Sequence, residues 1–141
     1  MKKILLIILL LNTLILSSCG ILPINKNDGL SESAWTLVSF NGDSLIPGSS
    51  MTANFEAGEV NGFASCNHYF GSYQTKGNQI QIDGLGWTEM ACMDPEGIMQ
   101  QEQQLMSLFS QAETYSIQGQ VLQITTSAGE LLIFQYLEIQ E

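Results

Sequence analysis

A chain of 141 residues with 4 basic against 14 acidic side chains, formal net charge −10, has room for one domain and repels polyanions. A surface of that sign turns phosphate backbones away, so no nucleic-acid partner is expected. Hydrophobic residues make up 45% of the sequence, yet a large share falls in the first 16 positions, which must therefore be set apart from the fold.

Those positions read as a secretory signal. Lys2 and Lys3 precede an apolar run from Ile4 to Leu11, a polar break at Asn12 and Thr13, and Leu14 to Leu16. The run is too short and too soon ended for a permanent membrane span. Its end, Leu16-Ser17-Ser18-Cys19, resembles a bacterial lipobox, in which the cysteine is diacylated on sulfur and becomes the first residue after cleavage. The plainer alternative is an ordinary secretory peptide with a chance cysteine. Buried acyl chains, at about 0.8 kcal/mol per CH₂, hold such a protein on a membrane. Gly20 is not the aspartate that retains lipoproteins at the inner membrane, so the expected place is the cell envelope, on an outer membrane facing the periplasm. After cleavage only Lys26 and Lys76 oppose the acidic residues, 2 − 14 = −12. Basic proteins or cationic peptides fit that charge, although acidity for solubility alone is the blander reading.

With Cys19 assigned to lipid, Cys66 and Cys92 remain in an oxidising compartment, where an even pair points to a disulfide. Closing a loop of about 25 residues stabilises a fold by roughly 3 kcal/mol through chain entropy. Two buried thiols acting as small apolar side chains are the alternative.

Residues 20–32 mix Pro, Asn, Gly and Ser without an apolar period and are expected, with Cys19, to form a tether over 19–33. A domain over 34–137 follows. Strands are predicted at 34–40, 51–57, 59–64, 68–75 and 79–83, with Asn41-Gly42, Gly58 and Gly77-Asn78 as turns. Asp94-Pro95-Glu96 reads as a helix start, with Asp94 as N-cap and Pro95 in the first turn. Ile98, Leu105, Leu108, Phe109 and Ala112 form a helical stripe, and Gln100, Gln101, Gln103 and Gln104 its solvated side. Strands at about 114–118, 120–126 and 130–137 complete the chain. One amphipathic helix and one-faced strands bury both by curling the sheet around the helix, giving a small α+β, antiparallel, barrel-like sheet with one helix before the last strands.

Residues 61–74, NGFASCNHYFGSYQ, crowd a cysteine, the lone histidine and four aromatics together. Cys66 and His68 share a strand face, so an imidazole-activated thiol is conceivable, as is a three-ligand zinc site with Cys92. A structural reading covers more of the residues. Gly62 and Gly71 permit bends or close backbone approach, Asn67 suits a turn, and Tyr69 and Tyr73 take one face while Phe70 takes the other. Met90, Met93, Met99 and Met106 are expected as gap-fillers around the helix. Phosphate-cradling loops, nucleophile elbows, zincin helices and calcium loops are all missing from the sequence.

Trp35-Thr-Leu, then Val60-Asn-Gly62 with Cys66-Asn67-x-Tyr69-x-Gly71-x-Tyr73, then Thr88-x-Met90-Ala91-Cys92, and Leu132-x-Phe134 together resemble the META (HslJ-like) domain family. The likeness runs from Ala34 to Phe134 and departs from the family at Ser65, where glycine is usual. It implies a small antiparallel barrel-like fold with a helix, carried by envelope lipoproteins and linked to heat shock or stress. It offers no catalytic residues, metal or cofactor. Two functions follow as expectations. The first is a non-enzymatic envelope lipoprotein that binds a protein or envelope component through an exposed face; the second is an apolar-ligand or lipid carrier with a cavity in the barrel.

Overall fold

The computed structural model describes residues 28–138; Cys19, its signal and most of the expected tether lie outside them. Strands β1 (Ser33–Phe40), β2 (Asp43–Ser44), β3 (Thr52–Glu56), β4 (Glu59–Ala64), β5 (Asn67–Lys76) and β6 (Gln79–Trp87) come first. The helix α1 (Ile98–Ser110) follows, then β7 (Ala112–Gln118), β8 (Val121–Thr126) and β9 (Leu131–Tyr136). Every pairing is antiparallel, and β1 pairs with β9 as well as β3, so the sheet closes on itself as a barrel with β2 appended to the end of β1. The α+β, barrel-like fold expected from the periodicity is the observed one.

Turn chemistry fixes the register of the hairpins. Ala57 and Gly58 both take positive φ between β3 and β4, as a type I′ turn requires. Ser65, first of the two turn residues joining β4 to β5, sits at φ 73°, a left-handed value that suits glycine better than a residue with a side chain. Elsewhere bulges override simple alternation. Val38 is the extra residue where β1 pairs with β9; it points to solvent, and the strand's phase flips so that Phe40 is buried. A second bulge, at Gly84 and Leu85, ends the regular part of β6.

The interior is packed with side chains. Leu105 and Phe109 of α1 meet Trp35, Phe55, Tyr69, Leu122, Ile124, Leu132 and Phe134, all fully or almost fully buried. Phe109 lies edge-on to Tyr69 with ring centroids 5.6 Å apart. A barrel of this size is just wide enough for side chains to fill, and here α1 fills it.

Four expectations are corrected. The folded unit begins before Ala34: Leu30 is fully buried, Thr75 donates to Asp28 Oδ2 at 2.9 Å, and Tyr115 donates to the Asp28 carbonyl at 3.0 Å. Residues 28–33 thus stopper one end of the barrel instead of ending a tether. The helix begins at Ile98, because Gly97 takes φ 84° and the first i→i−4 bond runs from Gln101 N–H to the Gly97 carbonyl. Asp94 and Pro95 are left in a preceding turn without a capping role. Ala112 lies in β7, and Gln101 is buried instead of solvated.

Candidate functional site: a braced loop beside an open groove

Asn67 is the centre of the family motif, and its side chain uses its whole bonding capacity. Its Nδ2 donates to Glu102 Oε1 at 2.7 Å and to the Met90 carbonyl at 3.1 Å. Its Oδ1 accepts from the Thr88 hydroxyl at 2.7 Å and from Met90 N–H at 2.8 Å. From α1, the buried Glu102 accepts the backbone N–H groups of Cys66 and Asn67 on Oε2, at 3.0 and 2.6 Å. One buried amide thereby ties three elements together: the β4–β5 turn, the loop after β6, and the helix. Gln101 adds a parallel tie, accepting from Ile46 N–H at 2.7 Å and donating to the Ser49 and Ser65 hydroxyls.

Cys66 and Cys92 are bonded to each other across a separation of 26 residues, with Cα atoms 6.0 Å apart. The sulfur beside His68 is therefore not a thiol, which removes the nucleophile and the ligands that catalytic and zinc readings of that stretch need. His68 is exposed and its ring lies 5.4 Å from Phe63. Among the described residues no three His, Cys, Asp or Glu side chains converge for a metal.

The remaining motif residues are also framework. A Cβ at Gly62 would fall on the Thr52 carbonyl, the same oxygen that accepts from the buried Tyr69 hydroxyl at 2.8 Å. Burial pushes the Tyr69 phenol above its ordinary pKa. Gly71 passes close to the Asp83 carbonyl and Leu85, and Trp35 is buried edge-on to Tyr136. Thr88, Met90 and Ala91 are exposed; Thr88 contributes its hydroxyl and Met90 its backbone to Asn67, and Ala91 makes no contact with it. The expectation that the methionines fill gaps around the helix holds for the buried Met106 and in part for the half-buried Met99, and fails for Met93, which is 91% exposed, and for Met90, about half exposed. Neither packs around the helix, because the 88–97 loop runs outside it.

What the sequence did not reveal is the place where the barrel barely closes. β5 and β6 pair along their length, whereas β6 meets β7 at a single position, Gln79 with Thr114. Past it, β6 turns away at Gly84 (φ 62°) and α1 lies alongside. Between them an open groove of about 730 Å³ is lined by Leu85, Trp87, Met99, Met106, Glu102 and Ser107, among others. Trp87 is half exposed there, and on the opposite sheet face Phe70 lies over Gly86. Only the missing alternation after Asp83 hinted at this in the sequence.

A small closed antiparallel barrel plugged by one helix, with an Asn-centred brace and a disulfide, defines the class. A META domain model matches residues 28–138, most of the chain, and the protein belongs to the META domain family. Solved structures agree on the fold. A protein from Burkholderia xenovorans, determined by NMR, is 25% identical over 78% of this chain and 85% of its own, with a TM-score of 0.67. A second NMR structure is 17% identical, covering 76% of this chain and 91% of its own, at 0.61. A DUF4847 family protein from Bacteroides vulgatus is 12% identical over 79% and 96%, at 0.58. A search of curated proteins finds no match.

Proposed function

We propose that this protein is a non-enzymatic, lipid-anchored envelope protein of the META type that supports stress tolerance by binding a protein or envelope component. Membership of the family favours an envelope and stress-related role. The observation that carries the binding reading is the fate of the polar motif. Asn67, Glu102 and both sulfurs are fully engaged inside the fold, while the open groove between β6 and α1, with Leu85, Met99 and the half-exposed Trp87 on its walls, leaves apolar surface for a partner. The carrier alternative is not favoured, since Leu105, Phe109 and the inward strand residues occupy the barrel.

Cys19 is the anchor in this reading, with the domain standing on the periplasmic side of an outer membrane. The test compares the full chain with Cys19→Ser in a bacterial host. Mass spectrometry is expected to find an acylated Cys19 as first residue and the chain in the membrane fraction, with Cys19→Ser released. Survival of a deletion strain at raised temperature is expected to be restored by the first and not the second. An uncleaved or unacylated start, or equal rescue by both, overturns the anchored reading.

A further inference from the structure

We propose that the free edge of β6, from Ile82 to Trp87, receives an extended cationic segment of a partner protein as an added strand, with apolar side chains of that segment seated in the groove against α1. The proposal rests on the reading that this domain acts by binding, and it names the site and the chemistry of the partner.

A sheet edge carries a row of backbone donors and acceptors ready to pair, and proteins commonly blunt it with lysine, proline or cover. Beyond Gln79 no strand among the described residues is paired with β6 on its β7 side, and the strand parts from β7 at Gly84. Residues 80–87 contain neither lysine nor proline, and the one described lysine, Lys76, pairs with Gln79, roughly 10 Å along the strand from Ile82 and roughly 27 Å from Trp87. Beside that edge the groove offers Leu85, Trp87, Met99 and Met106, and flexible thioethers accommodate varied apolar side chains. Strand addition uses this combination, with main-chain bonds for affinity and an adjoining pocket for alternate side chains.

Charge selects among occupants. Residues 83–96 carry Asp83, Glu89, Asp94 and Glu96 without a single basic residue, and Glu102 forms part of the groove wall. A second copy of this chain would bring the same excess of negative charge to the edge, and an anionic bilayer would be repelled in the same way. A segment alternating basic and apolar residues satisfies both surfaces at once: its period of two directs one set into the groove and the other toward the acidic rim.

The test uses the folded, disulfide-bonded domain and three synthetic peptides of about eight residues: lysine alternating with leucine, glutamate alternating with leucine, and the lysine peptide N-methylated along one edge. Trp35 is buried, so a fluorescence change on binding reports Trp87. The lysine peptide is expected to bind and shift the amide resonances of Ile82 to Trp87. Each blocked backbone bond is expected to weaken it about tenfold, the size of a net hydrogen bond to the main chain. The glutamate peptide, and the lysine peptide on the exposed double variant Asp83→Lys/Glu89→Lys, are expected to bind more weakly still, with thermal unfolding confirming that the variant is folded. Equal binding of the methylated peptide, equal binding of the glutamate peptide, or resonance shifts confined to another face each overturns strand addition at β6. A fatty acid that binds the groove while the lysine peptide does not would overturn it in favour of an apolar small ligand. If a partner binds the intact lipoprotein while this edge stays silent, the binding role stands and this site falls.

Discussion

The two sides of β6 are built on opposite principles. Toward β5 the strand is paired from Lys76–Gln79 to Tyr69–Trp87, and the loop that follows is fastened by Asn67, Glu102 and the Cys66–Cys92 bond. Toward β7 it has one pairing and a groove. Covalent and hydrogen-bonded fastening is concentrated on the side where the family motif lies, and the open groove is on the other. The motif is thus a fastening: its cysteine, asparagine and threonine tie the loop after β6 to the β4–β5 turn and to α1.

Substitutions on the two sides should separate by magnitude. Asn67→Ala has the largest expected effect, because it strands the buried Glu102 and Met90 groups together; a loss of about 4 kcal/mol by urea unfolding is expected. Replacing both Cys66 and Cys92 with serine, or reducing them, should lower stability by about 3 kcal/mol, set by the loop they close. Gly84→Ala tests the open side: its φ of 62° disfavours a side chain although nothing crowds the position, so about 1 kcal/mol is expected. Trp87→Ala should leave the unfolding midpoint within about 0.5 kcal/mol of the parent while abolishing the groove's fluorescence response. A small effect of Asn67→Ala, or a large one of Trp87→Ala, would break the contrast.

A last comparison concerns the stoppered end of the barrel. Burial, then the nearby Asp28 charge, raises the pKa of Tyr73 and of Tyr115. A raised folded-state value means the stabilisation is fully present below the unfolded tyrosine pKa of about 10 and is lost as pH climbs through the folded values. Unfolding free energy is therefore expected to hold steady up to about pH 10 and then fall. The buried Tyr73 hydroxyl has no well-placed hydrogen-bond partner among the described residues. Tyr73→Phe should accordingly be neutral or stabilising by up to about 1 kcal/mol, and should flatten part of that alkaline decline.

Much of the fold was legible because its signals are local. Alternation located β3, β4 and β5, including the division of Tyr69 and Tyr73 from Phe70, and the 3.6-residue stripe located α1. Reading failed where one residue changed the phase. Val38 bulges and sends Phe40 inward, and Gly97 takes a left-handed turn that delays the helix past an apparent Asp94-Pro95 start. The sequence places Gln101 on a solvated helix side, and Glu102 next to it carries no local sign of burial. Their burial follows from the β4–β5 turn and the 88–92 loop, segments far away in sequence, closing over them.

By itself the sequence determined an acidic, single-domain antiparallel barrel with one helix, because charge, period and turn residues act over a few positions at a time. The disulfide expected of Cys66 and Cys92 is also the observed one, whereas only the tertiary structure decided that Asn67 holds Glu102 and that β6 parts from β7. Those outcomes depend on which distant backbone groups end within about 3 Å of one another, and a hydrogen bond or a gap between strands is set by that closure and by no local preference.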